Sequence, residues 1–173
     1  MIHAILFAAA LQTAPAAAPA PLPPIDCSDA DHSAFNFWVG DWDVSATGTD
    51  TVVARSTISS TAGGCAIQED YHQTIGPGGV ATTYHGVSFS AFDARRGGVW
   101  RQFYMDSGGA VTVFEGGLSD AGAMVLEAPG RPGSIQRMTV SPEPDGSVRQ
   151  RGESSTDGGA TWTPGYDFTY RRR

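Results

Sequence analysis

From Gly40 onward the chain is cut into short alternating runs by glycine-centred turns, and this punctuation constrains the fold more than any other feature. Glycine accounts for 22 of 173 residues, and many of these fall in clusters: Ala62-Gly63-Gly64, Gly76-Pro77-Gly78-Gly79, Gly97-Gly98, Gly108-Gly109 and Pro144-Asp145-Gly146. Such clusters reverse a chain tightly, because proline presets φ and glycine accepts positive φ. Between them the residues alternate with period two. Val99, Arg101, Phe103 and Met105 share one parity, and Trp100, Gln102, Tyr104 and Asp106 the other. After Trp38 no run has a helical period. Regular short strands joined by turn signals imply a sandwich or a barrel. Hairpin-by-hairpin order favours an up-and-down barrel, and closure removes the edge strands that a long open sheet would expose. The fold class is therefore all-β, a single antiparallel up-and-down barrel of about ten strands with a short N-terminal helical plug. A sandwich is the second choice.

The first strand is expected to follow Gly40. The next ones cover 51–60, 65–75, 82–93 with a bend at Gly86, 99–106, 110–116, 124–128, 134–142, 148–155 and 161–171. The last carries a bulge signal at Pro164-Gly165.

The stretch Phe35-Asn36-Phe37-Trp38-Val39-Gly40-Asp41-Trp42-Asp43-Val44 reads as the plug and first strand of this core. Phe35, Phe37 and Trp38 suit a helical turn, Gly40 lets the backbone leave it, and Trp42 and Val44 alternate as a strand does. Each such ring buries roughly 150–250 Å². Gly40-Asp41-Trp42 resembles the Gly-x-Trp signature of the calycins, which include lipocalins, fatty-acid-binding proteins and nitrobindins. With Gly64-Cys65, the following Glu69 and the string Asp157-Gly158-Gly159-Ala160-Thr161-Trp162, the chain resembles an uncharacterised lipocalin-like family of bacterial proteins over about residues 30–172. The resemblance implies that Trp42 closes one end of the barrel beside an arginine of the last strand, either Arg171 or Arg172. Nitrobindins hold haem through a histidine late in the chain. Here no histidine follows His85, and no Arg-x-Tyr clamp for a fatty acid occurs.

Residues 1–16 read as a signal peptide: Ile5 to Leu11 is an apolar run too short to span a bilayer, and Ala14-Pro15-Ala16 fits a cleavage site. Residues 17–29 read as a Pro/Ala-rich tether, and 30–173 as the barrel domain. The expected location is periplasmic or secreted, with no membrane insertion after processing. Export permits a disulfide between Cys27 and Cys65, pinning the N-terminal segment to the barrel wall, against the alternative of two separate buried thiols. A formal charge of −7 argues against nucleic acid as a partner.

Candidate chemistry is sparse. Ser155 to Trp162 fits the Asp-box pattern of sialidase propellers, but it occurs once. Asp157 ordering its own turn, with Trp162 as a structural residue, explains it. His32, His72 and His85 are scattered, so neither a metal site nor a cofactor is expected. Glu69 shares parity with Ile67 and Tyr71, a parity that suits the interior. A buried carboxylate needs a partner, and Glu69 or Glu153 with Arg137 or Arg151 would supply one. Such a group either anchors a ligand or forms an internal ion pair. Ten strands enclose a wide interior, so a cavity is expected. The functional expectation is an exported protein that holds a small apolar or amphipathic ligand by its polar end. Its candidate contacts are Glu69, Tyr71, Gln102, Tyr104, Arg137 and Glu153, while Gly40 and Trp42 are structural. The alternatives are an enzyme using a pocket carboxylate and a structural or interaction module with a filled barrel.

Overall fold

A computed structural model describes residues 26–173; the expected signal peptide and residues 17–25 of the expected tether lie outside them. A short helix α1 (Ala30–Ser33) and a 3-10 turn (Asn36–Trp38) precede ten strands. These are β1 (Gly40–Ala46), β2 (Val52–Thr61), β3 (Ala66–Ile75), β4 (Ala81–Asp93), β5 (Val99–Asp106), β6 (Val111–Leu118), β7 (Met124–Pro129), β8 (Ile135–Pro142), β9 (Val148–Ser155) and β10 (Thr163–Arg172). Every strand pairs antiparallel with its sequence neighbours, and β1 pairs with β10, so the sheet closes as an up-and-down barrel. This is the architecture that the punctuation and alternation imply.

The differences from the expected strands have local causes. β3 starts after Cys65, because Cys65 ends the 3-10 turn Ala62–Gly64 and is bridged to Cys27. β6 continues to Leu118 because Gly117 and Leu118 find partners in Val125 and Met124. β10 starts at Thr163 because the preceding residues belong to a turn organised by side chains. The Asp157 carboxylate accepts from Thr161 N and from the hydroxyls of Ser155 and Thr161, and Trp162 Nε1 donates to Gly159 O at 3.0 Å. These bonds hold the Asp157 carboxyl far below its ordinary pKa. Register slips between Pro164 and Tyr166, where the sequence signals a bulge. Gly86 marks no break in β4. A Cβ there would sit 2.9 Å from Tyr104 Oη, so the glycine makes room for a phenol lying across it.

The plug closes one end. Asp29 caps α1 through its carboxylate to His32 N at 2.9 Å. Phe35, Trp38 and Trp42 are fully buried, with Trp100 and Tyr170 close behind. Phe35 stacks on Trp38 at 5.1 Å and meets Trp100 edge-on at 5.7 Å; Trp38 meets Tyr170 edge-on at 5.8 Å. Two indoles find backbone acceptors: Trp42 Nε1 donates to Trp38 O at 2.9 Å, and Trp100 Nε1 to Asp31 O at 3.1 Å. Of the two arginines considered, Arg172 lies over Trp42, its Cζ 4.5 Å from the ring centroid. It also donates to Val39 O at 3.2 Å. Gly40 is required by that approach, since a Cβ at this position would run into the Arg172 guanidinium.

Cys27 and Cys65 are disulfide-bonded across a sequence separation of 38, tying the start of the plug to the β2–β3 turn. Chain-entropy reasoning credits such a loop with about 4 kcal/mol.

Candidate functional site: the barrel interior

Strand pairing decides which parity faces in. The inward set includes Trp42 and Val44 on β1, Ser56 and Ile58 on β2, and Ile67, Glu69 and Tyr71 on β3. Across β4 and β5 it continues with Ser88, Ser90, Trp100, Gln102 and Tyr104. The plugged half is filled by large side chains. Beyond it lies a cavity of about 920 Å³. The cavity reaches Pro77, Ala110, Pro132 and Thr156, so its mouth is ringed by the β3–β4, β5–β6, β7–β8 and β9–β10 connections. Its walls are largely aromatic and apolar: Tyr71, Tyr84, Tyr104, Phe114, Met138, Tyr166 and Phe168. A smaller pocket of about 360 Å³ lies between Thr47, Glu143, Arg149 and Arg171. Arg149 there is already committed to Asp167.

Glu69 stands at the inner end of the cavity, 5% exposed. Its Oε1 accepts from Ser56 Oγ at 2.9 Å and contacts Tyr170 Oη at 3.3 Å. No cationic group among the described residues pairs with it. Burial, the largest influence, pushes its pKa up to about 7, although Ser56 and Tyr170 act in the opposite sense. Ser88, opposite Glu69 in register, also favours the ionised form, yet its Oγ makes no well-formed hydrogen bond. Tyr170 Oη lies 2.7 Å from Gln150 Oε1. One phenol proton cannot serve both acceptors. With Glu69 protonated, the carboxyl donates to Tyr170 and Tyr170 donates to Gln150; with Glu69 ionised, Tyr170 turns its proton to Glu69.

The other expected contacts divide into two groups. Tyr71, Gln102 and Tyr104 join Glu69 on the cavity wall. Gln102 is buried and donates through Nε2 to Ser90 Oγ at 3.1 Å. Tyr71 Oη donates to Gln73 Oε1 at 3.2 Å. The Tyr104 and Tyr84 hydroxyls are hydrogen-bonded to each other, and Tyr84 donates to Asp106 Oδ2 at 2.9 Å. Burial raises the pKa of Tyr71, Tyr84, Tyr104 and Tyr170, so all four phenols keep their protons at neutral pH.

Arg137 and Glu153 form the second group. Register places them opposite each other, on the parity that faces away from Met138, Val140 and Gly152. They reach only the lip of the cavity, where Arg137 Nη2 donates to Glu153 Oε2 at 2.9 Å. The same guanidinium lies 3.7 Å from the Trp162 ring centroid. The carboxylate that meets Arg137 is thus Glu153, and Glu69 has no arginine.

Tyr84, Asp106, Gln150 and Tyr170 line the cavity, and Ser56, Ser88 and Ser90 are buried beside Glu69 and Gln102; none of the seven was among the expected polar contacts. Their signal in the sequence was weak: Ser88 and Ser90 share parity with Gly86, a run of small residues on one face of a strand. Only cross-strand register shows that this face is turned inward. His72 and His85 lie on the outer face of β3 and β4, opposite each other in register, so neither can serve as an axial ligand inside the barrel. His32 packs edge-on against Phe92 beside the plug.

The chain matches no known family model, and no curated protein matches it.

Proposed function

We propose that the protein is an exported carrier or receptor for a small, largely apolar molecule, held inside the barrel with its polar end against Glu69. The observation that carries this reading is the cavity of about 920 Å³, aromatic along its walls and ending on a buried carboxyl group. Ligand sites commonly span roughly 300–1,000 Å³ and combine apolar walls with a few convergent polar groups. Gln102 and Tyr104 are the next orienting groups. Arg137 and Glu153 flank the route in, already satisfied by each other. A cavity of this size argues against a barrel that serves only as a filled scaffold. The disulfide and the lack of any helix long and apolar enough to cross a membrane among the described residues are compatible with an extracellular or periplasmic setting. Trp42 under Arg172 at the plugged end supports membership of the calycin superfamily.

A second reading has one specific observation in its favour. Glu69 is hydrogen-bonded but lacks a cation, and its pKa lies near neutrality. That combination suits a general acid or base, so an enzyme transferring a proton to or from an enclosed substrate is the alternative.

The test uses N-phenyl-1-naphthylamine, a largely apolar probe whose single N–H bridges its two ring systems. The folded protein should enhance its fluorescence saturably at one probe per chain, and Thr112→Trp, which fills the cavity wall, should weaken binding by about tenfold or more. Equal binding by the wild-type and filled proteins sinks the carrier reading.

A further inference from the structure

We propose that Asp70, His72 and His85 form a divalent transition-metal site on the outer face of the barrel, across β3 and β4. His72 and His85 are directly opposite in the antiparallel register, and Asp70 lies two residues before His72 on the same face. The two imidazoles stack with centroids 4.1 Å apart and planes 17° from parallel. Both direct Nε2 at one carboxylate oxygen: His85 Nε2 lies 2.6 Å and His72 Nε2 3.0 Å from Asp70 Oδ1. All three donor atoms fall within 4.8 Å of one another.

This spacing is close to that of three ligands on one face of a small ion. Metal–nitrogen and metal–oxygen bonds of about 2.0–2.2 Å place neighbouring ligand atoms about 3.3 Å apart, so the cluster has only to open slightly around the ion. The imidazoles would then give up the Nε2 protons they now direct at Asp70, as metal binding requires. Two nitrogens and one carboxylate oxygen suit zinc or copper(II) rather than calcium or magnesium. The remaining positions would be open to solvent, since the three side chains are between 43% and 57% exposed.

The scaffold is rigid. The ligands stand on two fully paired strands, and His85 is further fixed by Ser107, whose N donates to His85 O at 2.8 Å. Neighbouring charges leave the site available. Arg55, opposite His72 in register, is drawn to Asp43 at 3.5 Å, and Thr57, opposite Asp70, donates to Asp41. On the inner face of the same strands Tyr71 pairs with Gly86 and Gln73 with Tyr84. A bound ion would therefore clip β3 to β4 behind the tyrosine-bearing wall of the cavity.

Zinc sulfate titrated into the untagged, folded protein at neutral pH, followed by calorimetry, tests this. One equivalent should bind with a Kd on the order of micromolar, and His72→Ala/His85→Ala should weaken it on the order of 100-fold. Glu143→Gln, a charge removed elsewhere on the surface, should leave it unchanged. Copper(II) should bind the same site more tightly. Nitrogen-15 spectra of wild-type histidines give a readout that needs no variant: Nε2 of His72 and His85 should shift at one equivalent, and His32 should not. Zinc heats alike in the wild type and the double variant, or unmoved His72 and His85 resonances, would overturn the proposal.

Discussion

The two ends of the barrel are built from the same alternation and serve opposite purposes. At the plugged end the inward positions carry Trp38, Trp42, Trp100, Phe35 and Tyr170, and the space is full. Toward the mouth the inward positions carry Tyr71, Tyr84, Tyr104 and Phe168 around an open space of about 920 Å³. The polar groups differ in the same way. In the plug, Trp42 and Trp100 donate to backbone carbonyls of the plug itself, which locks it. Around the cavity, phenols, amides and hydroxyls satisfy one another in chains that end on Glu69 or Asp106.

The largest effect expected from breaking this contrast is at the plug. Trp42→Ala removes a fully buried indole, its hydrogen bond to Trp38 O and the platform for Arg172. Denaturant melts should show a loss of about 3–5 kcal/mol, while molecules that remain folded bind N-phenyl-1-naphthylamine as before. A wild-type melting temperature would show that the plug does not hold the barrel closed.

Glu69 probes the other half. Its pKa is raised from 4.5 to about 7, so the folded state binds the proton more tightly than the unfolded state does. Stability is therefore greatest below the ordinary value and falls as pH rises through about 7. Relative to Glu69→Gln, which carries no titrating group there, the wild type should lose about 3 kcal/mol across that window. Melts of both proteins from pH 4.5 to 8 measure this difference; parallel curves would mean that Glu69 is solvated in the folded state.

The smallest effect is expected at the lip. Arg137→Met breaks a partly exposed ion pair and a stacked contact with Trp162. The cost should be about 1–2 kcal/mol, with little change in probe affinity. A large fall in affinity with unchanged stability would move Arg137 from the rim into the binding site.

Much of the molecule follows from local sequence. The plug, the disulfide partners, the bulge at Pro164-Gly165 and the closed turn around Asp157 all depend on neighbours a few residues apart or on a single feature such as a cysteine pair. Turn chemistry and period-two alternation are enforced by backbone sterics, which act over a few residues. That is why the strands fall within a few residues of where the turns put them.

The site was legible only in part. Alternation separated Glu69, Ile67 and Tyr71 from Asp70 and His72, and it separated Arg137 from Gln136 and Met138. It did not say which side of β8 was the inside. Both parities there carry apolar residues, Ile135 on one and Met138 and Val140 on the other, so hydrophobic pattern could not choose. Register against β7 and β9 chose, placing Arg137 against Glu153 and leaving Glu69 without a cation. Register between β3 and β4 likewise brought His72 and His85, 13 positions apart in the chain, face to face. The sequence by itself determined, to within about two residues, where strands begin and end, because that is local backbone chemistry. Which side chains meet, and how much room they leave, was decided only by the closed sheet, because strand pairing sets neighbours across distances that no local pattern encodes.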